Sequence, residues 1–445
     1  MSMKMFKKCK PSVQHWKILE HWLLHTQERK KEDNFSCEGS QVFFTLFHSE
    51  HFRFVLLSLV MSSHKDTNVL AKQFLLQALM RISDSSSEMK ELLSHINSEV
   101  ASCFKCLFME SLHPDCQKVR SLLQVLTAVM QITSPDPVTG RLNIKLFYHV
   151  VAYAGDRDAS DTVILKECFA CLLGMTKAAA ADQALAAVPV MVQNTGFLQH
   201  LQLSLTSQIN SFSALALSLL AWIVSNCPPY LNCSPISLSV AFLIDWLAHP
   251  GLEGPLSALQ ILCKVLEAHI NGRSCPVLQV KYADSLLEDG HLLTSHEVRL
   301  LFCLILQYVC WGDNQTRQCS IKTLGKLIDI CHINGKEIGE HLVHHPWKPQ
   351  LMHALLNSSS DLGLSEHTLQ LISQIWREDD FADKKLTSQL LESLKATEVN
   401  KENKELFATI LEKIQYGCKD KRELQALQSK VLQCNSPKNY NTAVC

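Results

Sequence analysis

The amino-acid sequence predicts an all-α protein built from stacked helical repeats, and three observations lead to this fold class. Leucine is abundant while only 7% of the residues are aromatic, a composition typical of helix–helix cores. Apolar residues recur at i, i+3, i+4 and i+7, and polar stretches interrupt them about every 15 to 25 residues. With 445 residues, the chain also exceeds the size of one ordinary core, which favours an elongated repeat structure or several domains.

One kind of helix returns along the chain, with a small residue early, Leu-rich positions and an apolar end. Its predicted copies end at Ile82, Ile132, Met175, Val224, Leu266, Ile328 and Trp376. The successive intervals are about 50, 43, 49, 42, 62 and 48 residues, close to the roughly 40–47 residues of armadillo and HEAT units. The sequence therefore predicts an armadillo/HEAT-like helical-repeat solenoid of about twenty helices, with a single irregular helical domain as the alternative. The interval of about 62 predicts an extra helix or an insertion around 270–295.

The chain is expected to divide into four segments. Residues 1–64 form an N-terminal helical segment whose clustered phenylalanines indicate either an uncapped solenoid start, as in a fragment of a longer solenoid, or local aromatic packing. Residues 65–380 carry the armadillo/HEAT-like repeats. Residues 381–435 are expected to form capping helices because KENKELFATILEKIQ and KRELQALQSKVLQ each have a strongly charged face. Residues 436–445 are expected to be a disordered tail.

Cysteine usage and charge restrict the compartment and the class of partner. The 18 cysteines lie mostly within apolar helical runs and no secretory signal precedes them, which indicates free thiols in the cytosol or nucleus. The balance of 42 basic and 43 acidic residues argues against a surface that tracks nucleic acid throughout, although a local basic patch stays open. The most apolar run, Ala214 to Val224, is shorter than the roughly 20 residues of a membrane span, so no membrane contact is expected. This run and the next one, 236–247, are predicted to be core helices.

Two kinds of motif raise the question of a metal or redox site. The Cys-x-x-Cys pairs Cys103–Cys106 and Cys168–Cys171 have suitable spacing, but both lie in amphipathic helices where i and i+3 share a face. Core packing is therefore the preferred interpretation of both pairs, with zinc or redox chemistry as the alternative. A histidine-rich stretch is interpreted as a surface or half-buried cluster, with a metal site as the alternative: it contains His332, His341, His344, His345 and His353.

Motifs for catalysis are missing from the sequence, which contains no phosphate-binding loop, dinucleotide fingerprint, nucleophile elbow or kinase loop. We therefore expect no enzymatic activity and assign no catalytic, cofactor-binding or metal-binding residue. The short basic clusters are interpreted as solvated faces because acidic residues flank them: they are Lys4, Lys7, Lys8 and Lys10, Arg29 to Lys31, and Lys419, Lys421 and Arg422. Several loop serines could accept phosphate, namely Ser85, Ser86, Ser87, Ser134, Ser234 and Ser436.

Two longer segments resemble a known family. LFYHVVAYAGDRDASDTVILKECFACLLGM and IGEHLVHHPWKPQLMHALLNSSSDLGLSEHTLQLISQIWRED are similar to the C-terminal part of the vertebrate meiosis inhibitor protein family, which is of armadillo type. This resemblance implies a nuclear, chromosome-associated protein of germ cells that supports programmed double-strand break formation and homologue synapsis without cutting DNA. It also implies that the partners are components of the meiotic break-forming machinery, and that the chain is part of a longer protein.

The leading functional hypothesis is a non-enzymatic protein–protein interaction scaffold. Stacked helix pairs offer a long ridge or groove on which a partner helix or an extended peptide can lie. One alternative is direct nucleic-acid binding, which requires lysines and arginines aligned on one face of several repeats. A general cytosolic or centrosomal adaptor and a metal or redox protein are the others. Nothing in the sequence indicates which face binds, which partner it takes or the oligomeric state.

Overall fold

The computed structural model describes most of the predicted repeat region. The described residues are 47–62, 65–82, 87–110, 115–132, 144–177, 181–206, 210–228, 230–231, 234–249, 254–273, 275–281, 293–334, 348–357, 364–376, 384–400, 402–415 and 421–433. The chain divides into two compact units, Met1–Ser234 (unit 1) and Pro235–Cys445 (unit 2). This boundary falls inside the predicted repeat region 65–380.

The described part of unit 1 contains nine helices. They are α1 (Glu50–Val60), α2 (Lys65–Ile82), α3 (Ser87–Glu110), α4 (Cys116–Ile132), α5 (Ile144–Gly155), α6 (Thr162–Lys177), α7 (Ala181–Gln193), α8 (Thr195–Leu205) and α9 (Asn210–Asn226). Two rows result: α2, α4, α6 and α9 pack successively in one, and α1, α3, α5 and α8 in the other. Helix α7 packs against α5, α8 and α9. This arrangement buries the apolar stripe of each helix against its neighbours, as the repeat architecture requires.

Unit 2 repeats the two-row arrangement over its described residues. Its elements are β1 (Ile236–Ser239), α10 (Val240–Ala248), α11 (Pro255–Ile270), β2 (Leu278–Lys281), α12 (Ser295–Trp311), α13 (Asn314–Asn334), α14 (Lys348–Asn357), α15 (Glu366–Ile375), α16 (Lys384–Ala396), α17 (Lys404–Gln415) and α18 (Lys421–Gln433). One row holds α11, α13, α15 and α17, and the other holds α10, α12, α14 and α16. The chain thus has the all-α, armadillo/HEAT-like helical-repeat fold that the sequence predicts.

The seven predicted recurring helices all belong to the same kind of row. They correspond to α2, α4, α6 and α9 in unit 1 and to α11, α13 and α15 in unit 2, and each ends within six residues of its predicted end. We call these seven the recurring helices.

Contacts between neighbours in the row reproduce the repeat period. Gln124 on α4 bonds Glu167 on α6, 43 residues later, and Lys166 on α6 bonds Ser211 on α9, 45 residues later. The period read from the sequence is therefore confirmed.

The sequence interpretation missed two short strands. β1 pairs in parallel with β2, with Ile236 opposite Leu278 and Ser239 opposite Lys281. The predicted core helix at 236–247 is thus wrong for its first four residues, because Ser239 caps a helix that begins only at Val240. β2 falls within the insertion predicted around 270–295, whose residues 282–292 lie outside the described part.

Three of the clustered phenylalanines near the N-terminus are described, and two of them pack locally. The Phe47 ring lies 5.4 Å from that of Phe52 and 6.2 Å from that of Phe74 on α2, and Phe47 is buried. Local aromatic packing therefore accounts for this part of the predicted segment 1–64, most of which lies outside the described residues. The predicted tail 436–445 also lies outside them.

The C-terminal helices have the predicted amphipathic character. Helix α18 buries Leu424 and Leu427 and exposes Gln425, Ser429 and Lys430, while it packs on α17. The role of residues 381–435 as a cap stays a prediction.

Two glycines permit a close crossing between the rows of unit 1. Helix α5 ends at Gly155, where α8 begins behind the N-cap residue Asn194, whose side chain accepts a hydrogen bond from the Phe197 amide at 2.9 Å. A Cβ atom on Gly196 would overlap the Gly155 carbonyl oxygen and lie 3.1 Å from its carbonyl carbon. The crossing therefore needs glycine for steric reasons, since the nearest atoms belong to the backbone.

Candidate functional site

Three successive recurring helices of unit 2 carry a continuous row of amide and charged side chains, which we call the polar face. Its members are exposed or half-buried, and neighbouring members interact across the helices. They are Gln260 and Lys264 on α11, Gln318, Lys322 and Lys326 on α13, and His367, Gln370 and Gln374 on α15.

The helical period places these side chains on one side. On α13, residues 318, 322 and 326 follow one another at i, i+4 and i+8 and form one stripe. The opposite side of α13 carries Leu324 and Leu327, both fully buried. The same amphipathic pattern that holds the repeat together therefore directs the polar stripe away from the core.

Lysines from two helices converge on one carboxylate of α11. The Lys264 ammonium lies 3.1 Å from the Glu267 carboxylate. Partial burial by itself raises the pKa of Glu267, but the hydrogen bond and charge of Lys264 oppose it. The charges of Lys322 and Lys326 act in the same direction, so the pKa of Glu267 lies below its ordinary value. The positive potential of α13 therefore extends over α11.

The same two lysines also act on α15. Burial and then the charge of Lys322 lower the pKa of His367, against the opposing influence of Glu366, and Lys326 lowers it further. His367 is therefore mainly neutral at pH 7 and offers hydrogen-bonding nitrogens rather than a further positive charge.

Direct hydrogen bonds join α13 and α15. The Ser365 hydroxyl donates to Gln318 Oε1 at 3.3 Å, and Gln374 Nε2 donates to Asp329 Oδ1 at 2.6 Å. Between α11 and α13 lies an open cleft of about 430 Å³, lined by Leu256, Gln260, Asn314, Gln315, Gln318 and Cys319. Four of these six side chains are carboxamides, which can both donate and accept hydrogen bonds.

Unit 1 has a smaller row of the same kind on its own recurring helices. Glu167 on α6 accepts a hydrogen bond from Gln124 Nε2 at 2.5 Å and lies 3.7 Å from Arg120 Nε on α4. Burial and the charge of Arg120 lower the pKa of Lys72 on α2, although Glu167 opposes them. The carboxylate of this row is thus already engaged by groups of the neighbouring repeat.

The Cys-x-x-Cys pairs pack in the core, as predicted, with one exception. Cys168 and Cys171 on α6 are fully buried, and burial raises the pKa of Cys171 to about 12 and that of Cys168 well above its usual value. Burial likewise raises the pKa of Cys103 to about 12, while Cys106 is only half-buried and lines a small cleft with its partner. A protonated, buried thiol is a poor metal ligand and a poor nucleophile.

The other predicted candidates are only partly described. His353 is half-buried on α14, and Arg422 on α18 and Ser234 are exposed. The structure places His332, Ser87 and Lys421 in helices without describing their side chains. Outside the described residues lie His341, His344, His345, Lys4, Lys7, Lys8, Lys10, Arg29, Lys30, Lys31, Lys419, Ser85, Ser86, Ser134 and Ser436.

Sequence reasoning missed the polar face, although a signal for it exists. Gln260 and Lys264 are four residues apart in one recurring helix, and Gln318, Lys322 and Lys326 continue the same spacing in the next. Aligning the recurring helices by their polar positions, in addition to their apolar ones, would have indicated a shared stripe.

Two further searches concern the described stretches alone. No three histidine, cysteine or acidic side chains among them come together as metal ligands would. No helix within them combines the length and the apolar content needed to cross a membrane.

Comparisons with known proteins give one weak structural similarity. No protein-family model matches the chain, and no curated protein matches it. Among solved structures it is similar to an engineered protein from the Northeast Structural Genomics Consortium, at 10% identity and a TM-score of 0.36. That similarity covers 89% of this chain and 94% of the engineered one, and its low TM-score gives no basis for inferring function.

Proposed function

We propose that this chain is a non-enzymatic scaffold that binds other proteins along its recurring helices. The supporting observation is the polar face, which spans α11, α13 and α15 as an open surface of amide and charged groups. A surface of this kind offers many modest hydrogen bonds over a long distance, which suits an extended partner better than a small substrate. By resemblance to the meiosis inhibitor family, we further propose that the partners belong to the meiotic break-forming machinery in the nucleus of germ cells.

Site-specific photo-crosslinking tests the scaffold proposal. A photoreactive amino acid replaces Gln318, which is exposed on the polar face, in the full chain. The matched control carries it at Leu203, which is 57% exposed on α8 of unit 1. Both proteins are irradiated in an extract of germ cells in meiotic prophase, and captured proteins are identified by mass spectrometry.

The expected result is a defined set of proteins captured at position 318 and not at position 203. Equal capture at the two positions, or none at 318, would contradict the proposal that the polar face binds partners. The meiotic assignment is tested separately, by repeating the capture in an extract of somatic cells. If the same proteins are captured there, the family-based part of the proposal is wrong.

A further inference from the structure

We infer that the polar face binds an extended, acidic segment of a partner protein, with carboxylates spaced about three residues apart. This inference rests on the proposed scaffold function and adds the chemistry of the partner. It depends on the charge balance of the face and on the distances between its helices.

The charge balance leaves positive charge available to a partner. Lys264, Lys322 and Lys326 contribute three positive charges, whereas Glu267 and Asp329 contribute two negative ones, a net charge of +1. Lys264 pairs with Glu267 at 3.1 Å, and Lys326 lies 3.9 Å from Asp329. Among the residues that the structure describes, no carboxylate lies within 4.0 Å of Lys322, the central lysine.

Lys322 is therefore the natural first contact for an acidic side chain. Its charge reaches Glu267 on one neighbouring helix and His367 on the other. An incoming carboxylate above Lys322 gains from this shared positive potential, and it can also draw Lys326 away from its longer contact with Asp329.

The geometry of the repeat sets the spacing in the partner. Neighbouring packed helices lie roughly 8–10 Å apart, and an extended chain advances roughly 3.3 Å per residue. A segment that crosses from α11 to α13 therefore needs about three residues per helix. Acidic residues with that spacing can meet Lys264 and then Lys322, while the carboxamides of Gln260, Gln318 and Gln370 bond the main chain between them.

The same observations disfavour nucleic acid as the occupant. A nucleic-acid strand carries a phosphate at every nucleotide and would bring several of them close to Glu267 and Asp329. The lysines of the face also stand on two helices only, α11 and α13. A peptide can place carboxylates opposite the lysines and neutral residues opposite the acids, which a uniform polyanion cannot do.

The test measures binding of labelled probes to the full chain by fluorescence anisotropy at low salt. The first probe is a twelve-residue Gly/Ser peptide with glutamate at every third position, and the second has glutamine at those positions. The third is a single-stranded thymidine oligonucleotide of twelve nucleotides. The variant Lys264→Gln/Lys322→Gln/Lys326→Gln removes the charges of the face, and Lys105→Gln/Lys118→Gln/Lys177→Gln removes three lysines of unit 1 as the matched control.

We expect the glutamate peptide to bind about tenfold more tightly than the glutamine peptide, because several partly screened ion pairs add up. The polar-face variant should lose this preference, and the control variant should keep it. Equal binding of the two peptides, or an unchanged preference in the polar-face variant, would refute the inference. Tighter binding of the oligonucleotide with a steep salt dependence would also overturn it in favour of nucleic acid.

A charge-reversal experiment removes the ambiguity of a misfolded variant. Lys322→Glu should bind the glutamate peptide less tightly and should gain affinity for a matched peptide with lysine at every third position. A variant that merely misfolds would lose both, and circular dichroism would detect it. If photo-crosslinking at Gln318 captures proteins while the glutamate peptide shows no preference, the scaffold proposal stands and the acidic-segment inference is wrong.

Discussion

The close crossing at Gly155 and Gly196 gives a quantitative test of the repeat packing. We consider Gly196→Ala, which adds one methyl group where α8 meets the end of α5. The new Cβ atom would overlap the Gly155 carbonyl oxygen and lie 3.1 Å from its carbonyl carbon. Both obstructing atoms belong to the backbone, so the helices must separate instead of a side chain rotating away.

The matched control is the same substitution at Gly325 in α13. A Cβ atom there would meet only Gln374 Oε1, at 3.5 Å, which is an ordinary van der Waals distance. Alanine is favoured over glycine inside a helix by roughly 0.5–1 kcal/mol. We therefore expect Gly325→Ala to raise the free energy of unfolding, whereas Gly196→Ala should lower it by about 1–3 kcal/mol, the usual cost of overpacking.

Urea unfolding followed by circular dichroism gives the stability of each variant, and hydrogen exchange with mass spectrometry locates the change. Gly196→Ala should accelerate exchange in peptides from 144–205, and Gly325→Ala should slow it in peptides from 314–334. If Gly196→Ala unfolds at the same urea concentration as the parent chain, the steric account of the crossing is wrong. A loss of stability in Gly325→Ala would show that the space beside Gln374 has been misjudged.

Three further predictions concern contacts within unit 1. Arg53→Met breaks the buried ion pair with Glu99 at 2.8 Å, and we expect urea unfolding to show a loss of about 1–3 kcal/mol, because the remaining carboxylate is only partly exposed. Asn68→Ala removes the partner of the buried Ser121 hydroxyl, bonded at 3.1 Å, and should cost about 1–3 kcal/mol in the same assay, whereas the surface variant Lys105→Gln should not. Burial raises the pKa of Cys171 to about 12, so its thiol should resist iodoacetamide at pH 8 until urea unfolds the chain. Because the unfolded thiol ionises near pH 9.0 and the folded one near 12, its contribution to stability should be complete below pH 9.0 and be lost as the pH rises towards 12.

The repeat architecture could be predicted from the sequence because its signals are local. Apolar positions at helical spacing and polar breaks mark each helix, so the recurring helices end within six residues of their predicted positions. The interval of about 62 residues indicated the insertion between α11 and α13 in the same way. Its β2 strand could not be read, because LQVK forms a strand by pairing with residues 42 positions earlier.

The amino-acid sequence by itself determined the fold class, the period and the burial of most Cys-x-x-Cys thiols, since these follow from the order of apolar and polar residues along each helix. Only the tertiary structure decided which side chains meet across repeats. Gln124 and Glu167, or Gln374 and Asp329, lie more than 40 residues apart and become neighbours through the stacking of helices in one row. The polar face likewise exists only once α11, α13 and α15 lie side by side. The physical reason is that helical periodicity is written in short-range spacing, whereas a surface that spans repeats depends on the register between them.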